Sequence, residues 1–204
     1  MVDKNSLIVR HLKAIVEFPG DSLKRLFFIT GRPGMGKTTV LLRAAAALKA
    51  KGYRVMGMIS REAREEGNRV GFEIVDLSTG QRGWLAHVNQ PVGPQVSKYR
   101  VNLEDLDNIG AKSIRDAVTN AQIIIIDEIG PMELFSPHFK GAVSEALNSH
   151  RAVLGTIHFR ARDPLIQIIK AREDAEIFEV NYENRQSLHN LIIDRVTQFL
   201  RETS

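Results

Sequence analysis

Three glycines, a lysine and a threonine fall close together near the start of the chain, in the order Gly31-Arg32-Pro33-Gly34-Met35-Gly36-Lys37-Thr38. The spacing matches the pattern G-x-x-x-x-G-K-[ST]. Glycines let backbone N–H groups turn toward a phosphate without a Cβ in the way. Lys37 is expected to bridge the β- and γ-phosphates of a nucleotide, and the Thr38 hydroxyl to bind Mg²⁺. The segment, extended by Thr39, is therefore predicted to cradle a Mg-nucleotide. The alternative is a glycine-rich turn that binds nothing.

Two neighbouring acids, Asp127 and Glu128, follow directly on the apolar run Ile123-Ile124-Ile125-Ile126. A carboxylate at the carboxyl end of a buried strand lies at the edge of an open α/β sheet where ligands bind. Asp127 is predicted to hold Mg²⁺, and Glu128 to orient or deprotonate the attacking water. Together with Lys37 these acids form the predicted catalytic set. The alternative is an acidic pair that is merely solvated.

Several further polar residues are candidates for contacts with the substrate. Arg64 and Arg69 follow the second predicted strand; one of them could stabilise charge on the γ-phosphate, or both could pair with glutamates on a solvated turn. His158 ends a strand and is interpreted either as a γ-phosphate sensor or as a structural histidine. Asn184-Arg185 precedes the last helix and is a candidate for contact with the base. Later loops offer three more arginines for the γ-phosphate: Arg160, Arg162 and Arg172.

The elements that must position these residues alternate between strand and amphipathic helix, which is typical of an α/β fold with a mostly parallel sheet. The expected strands cover residues 26–30, 54–60, 123–126, 152–157 and 176–180. The expected helices cover 37–51, 102–120 and 136–149, with an interruption at Gly110 left open. A short helix opens at Asp163-Pro164, and an apolar stripe marks the closing helix. The members of that stripe are Leu188, Leu191, Ile192, Val196, Phe199 and Leu200.

An insertion of different character separates the second and third of these strands. Residues 70–77 and 84–88 flank Ser78-Thr79-Gly80 and predict a β-hairpin, followed by a loop over 90–99. The peptide Leu77-Ser78-Thr79-Gly80-Gln81 looks like the signature peptide of transporter ATPases. Here it is expected to be a turn, because a loop and a helix separate it from the Ile123 strand.

Composition limits the classes of protein to consider. The chain has 204 residues, a net charge of +4 and no cysteine. Residues 23–204 are expected to form one domain, and residues 1–22 an extension whose apolar residues suggest a short amphipathic helix: Leu7, Ile8, Leu12, Ile15 and Val16.

No apolar run is long enough to span a bilayer and no secretory signal is evident, so a cytoplasmic location is expected. The positive charge permits nucleic-acid binding without favouring it.

The chain closely resembles the THEP-type nucleoside-triphosphatase family over about residues 25–200. The resemblance rests on Gly31–Thr38, Glu62–Phe72, Lys98-Tyr99, Asp127–Leu134, Thr156-Ile157-His158, Lys170-Ala171-Arg172 and Asn184-Arg185. It implies a P-loop three-layer α/β/α fold of the RecA-like, or ASCE, type. It also implies slow, Mg²⁺-dependent hydrolysis of several nucleoside triphosphates, ATP and GTP among them. The departures are the N-terminal extension and Ser97, where glycine is expected before Lys98-Tyr99.

Three functions remain open on the sequence. The first is a nucleoside triphosphatase, and the second is a nucleotide or small-molecule kinase whose acceptor lies near Arg64 and Arg69. The third is a nucleotide-operated module that binds RNA, DNA or a protein. No Asn-Lys-x-Asp motif is present, so tight selectivity for guanine is not expected. The oligomeric state is not indicated.

Overall fold

A computed structural model describes residues 23–203, which contain nine strands in one mixed sheet. The strands are β1 Leu26–Thr30, β2 Val55–Glu65, β3 Asn68–Asp76, β4 Arg82–His87, β5 Gln95–Val96, β6 Tyr99–Val101, β7 Ile123–Ile129, β8 Ala152–Ile157 and β9 Ala175–Glu179. Their order across the sheet is β5-β6-β4-β3-β2-β7-β8-β1-β9. Five adjacent strands of this order run parallel to one another: β2, β7, β8, β1 and β9. β8 lies between β1 and β7, as expected for the RecA-like type of P-loop fold.

Helices cover both faces of the parallel strands. They are α1 Lys37–Ala50, α2 Leu103–Asp105, α3 Lys112–Asn120, α4 Pro137–Asn148, α5 Pro164–Ala171 and α6 Leu188–Glu202. α1 and α6 pack on one face, whereas α3, α4 and α5 contribute to the core on the other. The central strand β7 feeds both cores, because Ile123 and Ile125 face the first and Ile124 and Ile126 the second. An all-apolar strand is what a sheet covered on both faces requires. The predicted three-layer α/β/α architecture is confirmed.

The inserted region extends the sheet with antiparallel strands. The predicted hairpin is confirmed as β3 and β4, and its turn is held by Asp76, whose carboxylate accepts hydrogen bonds from the Ser78 and Thr79 amides. The transporter-like peptide is therefore a turn, as expected. β2, however, continues to Glu65, beyond the predicted end at residue 60, and pairs with β3 through a tight turn at Glu66-Gly67. The charged residues of this extension face solvent, which hid the strand from a search for apolar patterns.

The helical segment between β6 and β7 is irregular, as the sequence left open. Residues 106–111 form a wider π-helical turn between α2 and α3, and this turn contains Gly110. A Cβ on Gly110 would lie 2.5 Å from Ile74 Cδ1 on β3. The glycine therefore allows the helix to pack closely against the sheet.

Several further predicted strands and helices are confirmed, and one predicted helix lies outside the described residues. β1, α1, β8 and the short helix α5 lie where they were expected, within a residue or two at their ends. The amphipathic helix predicted within residues 1–22 lies outside the described residues. None of the helices between residues 23 and 203 is long and apolar enough to cross a membrane.

Candidate active site

The phosphate-binding motif occupies the turn between β1 and α1, which is the context its mechanism demands. Gly34 and Gly36 have φ of 79° and 98°, in the left-handed region that favours glycine. Gly36 is the residue that caps the amino terminus of α1. At Gly31 a Cβ would lie 2.7 Å from the Val180 carbonyl oxygen. The motif thus forms a tight loop that ends at the positive end of a helix.

Asp127 is fully buried at the carboxyl end of β7, directly beside this loop. Its Oδ1 accepts a hydrogen bond of 3.1 Å from the Thr38 hydroxyl and one of 2.7 Å from the Thr156 hydroxyl. Its Oδ2 has no partner although it is buried. The predicted neighbourhood of Thr38 and Asp127 is therefore present in the structure, with Thr156 of β8 as a third member that was not predicted to act at the site. The signals for Thr156 in the sequence were its place in the family motif Thr156-Ile157-His158 and its position at the end of a predicted strand.

The Thr38 hydroxyl and the Asp127 carboxylate make an all-oxygen donor set, which suits a hard cation such as Mg²⁺. Burial raises the pKa of Asp127 to about 6, against the opposing hydrogen bonds from Thr156 and Thr38. A bound divalent cation would give the unpartnered Oδ2 the positive charge that it lacks. The residues at this position therefore fit a magnesium ion held by Thr38 and Asp127.

Glu128 follows Asp127 through a cis peptide bond and faces the lysine of the loop. Lys37 Nζ lies 3.9 Å from Glu128 Oε2 and 3.5 Å from the Gly31 carbonyl oxygen. Glu128 Oε1 is buried without a partner. Burial raises the pKa of Glu128, and the positive charge of Lys37 opposes this shift. The three residues predicted to be catalytic are thus brought together.

A cleft of about 620 Å³ opens next to these groups. One wall is the phosphate loop, and the opposite wall is formed by β2 and β3. The side chains on that opposite wall are Ser60, Arg61, Glu62, Arg69 and Phe72. Arg61 was not among the predicted site residues, because it belongs to the part of β2 that the sequence did not reveal as strand.

The structure separates the two arginines of the insertion. Arg64 pairs with Glu62 at 2.8 Å and donates to the Gly67 carbonyl oxygen at the exposed end of the hairpin. This is the alternative that the sequence left open, an ion pair of the arginine with a glutamate at the surface. The pair lies on strand β2, whereas the sequence indicated a turn. Arg69 lines the cleft, pairs with Glu62 at 2.5 Å and lies 5.4 Å above the Phe72 ring. Of the two, Arg69 is the arginine that faces the nucleotide site.

His158 also lines the cleft, at the carboxyl end of β8. Its amide donates to the Ile129 carbonyl oxygen, and its Nδ1 accepts from the Arg160 amide. Burial lowers the pKa of His158, and the charges of Lys37 and Arg160 lower it further. His158 is therefore a neutral imidazole at the cleft, and its Nε2–H can donate a hydrogen bond.

Arg172 lies away from the cleft, so its predicted contact with the γ-phosphate needs correction. It forms a bidentate pair with Asp174 at 2.8 and 3.0 Å, and Asp174 also binds Arg25 at 2.9 Å. These residues precede β9 and β1, so they lie at the amino-terminal edge of the parallel strands, whereas the phosphate loop follows β1 at the other edge. Arg172 precedes the strand predicted over residues 176–180, so its place at the amino-terminal edge follows from the order of the elements.

The segment containing Asn184 and Arg185 does lie beside the phosphate loop. Val180, which precedes it, is the residue against which Gly31 packs. The Asn184 side chain accepts from the Asn181 amide and donates to the Glu179 carbonyl oxygen. The Arg185 guanidinium lies 5.0 Å from the ring of the exposed Tyr182. Asn184 thus shapes its own loop, while Tyr182 and Arg185 lie together at the exposed surface of that loop.

Comparisons with known proteins agree with this geometry. A family model described as NTPase matches residues 26–193. The nucleoside-triphosphatase THEP1 of Thermofilum pendens is 47% identical over 163 residues, 79% of this chain and 90% of that protein. Its counterpart from Methanosarcina acetivorans is 44% identical over 175 residues, 85% of this chain and 96% of that protein.

Two solved structures resemble the chain over most of its length. One is the crystal structure of THEP1 from the hyperthermophile Aquifex aeolicus, with a TM-score of 0.73, 29% identity and coverage of 84% of this chain and 98% of that one. The other is the solution structure of a human cancer-related nucleoside triphosphatase, with a TM-score of 0.74, 37% identity and coverage of 85% and 98%. The segment matched by the family model contains both the phosphate loop and the carboxylate pair.

Proposed function

This chain belongs to the THEP1-type nucleoside-triphosphatase family, and from that premise we propose that it hydrolyses several nucleoside triphosphates, ATP and GTP among them, slowly and with Mg²⁺. The products would be the nucleoside diphosphate and phosphate. The observation that carries the proposal is the hydrogen bond between Thr38 and Asp127, because it joins the phosphate loop to the carboxylate strand at one point.

The residues of the loop account for substrate binding. Its backbone amides and the amino terminus of α1 offer positive charge to the phosphates, and Lys37 adds a cation beside Glu128. Thr38 and Asp127 would hold the magnesium ion, which when bound neutralises charge on the phosphate oxygens. Arg61 and Arg69 on the opposite wall of the cleft stand where a cation could stabilise charge that develops on the γ-phosphate.

Glu128 is the group that acts on the attacking water. Its pKa is raised by burial, and a raised pKa makes a carboxylate a better acceptor for a proton. Its Oε2 lies 3.9 Å from Lys37 Nζ, the cation expected to bridge the β- and γ-phosphates. We assign to Glu128 the orientation of the water for in-line attack and acceptance of its proton.

A broad choice of base is consistent with the loop after β9. The amide of Asn184 is engaged by the backbone of its own loop, so it does not read the edge of a base. The exposed Tyr182 ring and the Arg185 guanidinium offer stacking surfaces instead. Stacking accepts any base because every base has a π-face.

Two substitutions test the proposal. Glu128→Gln should bind Mg-ATP within a few-fold of the wild-type affinity and lose about 10²- to 10⁴-fold in kcat, because an amide cannot accept the proton. Lys37→Ala should lose both nucleotide affinity and turnover. Phosphate release and calorimetric binding measure the two effects, with Glu66→Gln on the exposed hairpin turn as the matched control. Wild-type turnover by Glu128→Gln would remove Glu128 from the mechanism.

One observation favours a second candidate, a kinase. The cleft extends beyond the phosphate loop to the wall that carries Arg61 and Arg69, which leaves room for an anionic acceptor. Hydrolysis would then be slow leakage from a site built to exclude water. Labelled ATP incubated with a metabolite pool distinguishes the two: a phosphorylated metabolite favours the kinase, and labelled phosphate alone favours the hydrolase.

A further inference from the structure

The wall of the cleft that faces the phosphate loop is made by the outer half of β2 and its partner β3. The last paired residues of β2 and β7 are Met58 and Ile126. β2 then continues to Glu65, a further span of roughly 20 Å at the rise of a strand. This extension therefore projects beyond the carboxyl edge of the sheet, which is the edge that carries the phosphate loop and Glu128.

A β-bulge in β3 determines which way Arg69 points. Arg69 and Phe72 are three positions apart, and in a regular strand side chains at that spacing point to opposite faces. The pairing of β3 with β2 skips Val70, so β3 gains one residue at this point. Phe72 pairs with Glu62 on β2. Arg69 pairs with Arg64, two positions further along β2, so both pairs share one face. The bulge thus places Arg69 beside Phe72 in the cleft.

An ion pair and an aromatic ring hold the guanidinium of Arg69 in place. Its Nη2 lies 2.5 Å from Glu62 Oε1, and its centre lies 5.4 Å from the centre of the Phe72 ring. Glu62 Oε2 is bound at 2.8 Å by Arg64, which also donates to the Gly67 carbonyl oxygen. One carboxylate thus serves two guanidinium groups, which leaves a net positive charge on this wall. Arg69 Nε is buried without a hydrogen-bond partner, so one of its N–H groups remains for an acceptor.

Arg61 is the other arginine of this wall, at the position directly before Glu62. Successive side chains of a strand alternate, so Arg61 points to the opposite face of β2 from Glu62. The acid and the ring that fix Arg69 therefore do not fix Arg61. Catalysis depends on such placement, since a shift of 1 Å can cost about 100-fold in rate. Arg69 is the arginine of the cleft whose position the protein specifies.

We propose that Arg69 is the catalytic arginine of this site, whose guanidinium contacts the γ-phosphate in the transition state, and that Glu62 is the residue that positions it. This role rests on the proposed hydrolysis. In that reaction the bond from the water oxygen to the γ-phosphorus forms while the bond to the β–γ bridging oxygen breaks. Glu128 accepts the proton of the water, and negative charge grows on the bridging and γ-phosphate oxygens. The planar fork of a guanidinium can donate to two such oxygens at once.

Two substitutions of Arg69 test its contact with the transition state. Arg69→Gln should lower kcat about 10²- to 10³-fold and leave the affinity for Mg-ATP within a few-fold of wild type. Arg69→Lys should recover only a small part of the loss, because an ammonium is a point charge without the fork. Wild-type kcat in Arg69→Gln would overturn the inference. Arg82→Gln, at an exposed position of β4, is the matched control.

Binding of a transition-state mimic separates this contact from ordinary binding of the nucleotide. Mg-ADP with aluminium fluoride imitates the phosphoryl group during transfer, and it should bind Arg69→Gln about 10-fold or more weakly than wild type. Mg-ADP alone should bind both proteins equally. Calorimetry measures both affinities. An equal loss in the two measurements would show that Arg69 binds the ground state, which contradicts the proposed role.

Glu62→Gln tests the positioning of Arg69. It should lower kcat about 3- to 10-fold with little change in KM, and it should cause no further loss in an Arg69→Gln background. Glu65→Gln, at the exposed end of the same strand, controls for the loss of an acid. A full additional loss in the double variant would show that Glu62 acts independently of Arg69. A raised kcat in Glu62→Gln would show that Glu62 restrains the arginine, and either result would overturn the positioning role.

A mixture of two inactive variants tests whether Arg69 acts within its own chain. Arg69→Gln keeps the phosphate loop, and Lys37→Ala keeps the arginine. Their equimolar mixture should hydrolyse ATP no faster than the two proteins measured separately. Restored turnover would mean that the arginine acts on the nucleotide of a neighbouring molecule, against the inference. Failure of the proposed function has a different sign, because wild-type turnover by Glu128→Gln would remove the hydrolytic mechanism whatever Arg69 does.

Discussion

Asp127 is fully buried, yet the proposed reaction needs it as a charged carboxylate. Its neighbours determine whether it is the carboxylate or the neutral acid. Burial alone favours the neutral acid. The hydroxyls of Thr38 and Thr156 both donate to Oδ1, which favours the carboxylate and leaves Oδ2 directed away from them. One oxygen is thus fixed by the protein and the other remains for the cation. At the scale of single residues, Thr156 supports the proposed magnesium site by fixing Asp127, although it would not itself bind the metal.

Thr156→Val is expected to weaken the response to Mg²⁺ while leaving the fold intact. Valine has the shape of threonine but cannot donate to Asp127 Oδ1, so the carboxylate loses its shorter hydrogen bond. The loss of a group that orients a metal ligand typically costs 10- to 100-fold in metal affinity or activity, so the Mg²⁺ concentration for half-maximal turnover should rise by roughly that factor.

Thr156→Ser provides the matched control, since it keeps the hydroxyl and should stay within a few-fold of the wild-type response. Titration of kcat against Mg²⁺ at saturating ATP measures all three proteins. An unchanged Mg²⁺ dependence in Thr156→Val would show that Asp127 does not need this hydrogen bond.

At the scale of elements, the short hairpin of β5 and β6 explains the one departure of the core sequence from the family pattern. Ser97 joins the two strands with a φ of 56°, in the left-handed region that ordinary residues avoid. Glycine enters this region at no steric cost, which is the physical reason for expecting glycine before Lys98-Tyr99. The chain here accepts strain at Ser97 that a glycine would remove.

Ser97→Gly should therefore raise the free energy of unfolding by up to about 1 kcal/mol. Relief of roughly 1–2 kcal/mol of left-handed strain is partly offset by the greater freedom of glycine in the unfolded chain. Urea unfolding measures the difference. Ser78→Gly is the matched control, because Ser78 lies in a turn without positive φ and should lose stability by a few tenths of a kcal/mol or more. A lower stability of Ser97→Gly than of wild type would contradict the strain argument.

The elements also show what could be predicted from the sequence and what could not. β7 and the phosphate loop were predictable because their signals are local: an unbroken apolar run, and glycines at fixed spacing before a lysine. The outer half of β2 was not, because four of the five residues from Arg61 to Glu65 are charged and the segment gains strand structure only by pairing with β3. Thr156 reaches Asp127 through tertiary packing, and single-chain patterns carry no information about such contacts.

At the scale of the whole molecule, the two edges of the parallel strands differ in the residues that they carry. The carboxyl edge carries the phosphate loop, the carboxylates and His158. The amino edge is held by ion pairs and capping contacts, in which Arg25 and Arg172 share Asp174. Arg172 was a candidate in the sequence because it lies in one of the later loops, but in the structure it pairs with Asp174 at the amino edge. The buried acids at the carboxyl edge lower the stability of the folded protein when they are charged.

The stability of the protein without nucleotide or Mg²⁺ should fall as the pH rises from 5 to 8. The side chains of Asp127 and Glu133 have ordinary pKa values of 3.8 and 4.5, and folding raises these to about 6 and about 8. Between these limits the folded state binds more protons than the unfolded state, so a rise in pH favours unfolding.

The Glu133→Gln variant isolates the largest part of this effect. Between about pH 6 and 8, after Asp127 has titrated, Glu133 alone of these two acids should contribute a slope approaching about 1.4 kcal/mol per pH unit, which glutamine abolishes. His158, whose pKa is lowered, contributes in the opposite direction below its ordinary value of 6.5, but equally in both proteins. Urea unfolding in EDTA across this range gives the two slopes. Parallel slopes would mean that Glu133 is already ionised in the folded protein at these pH values.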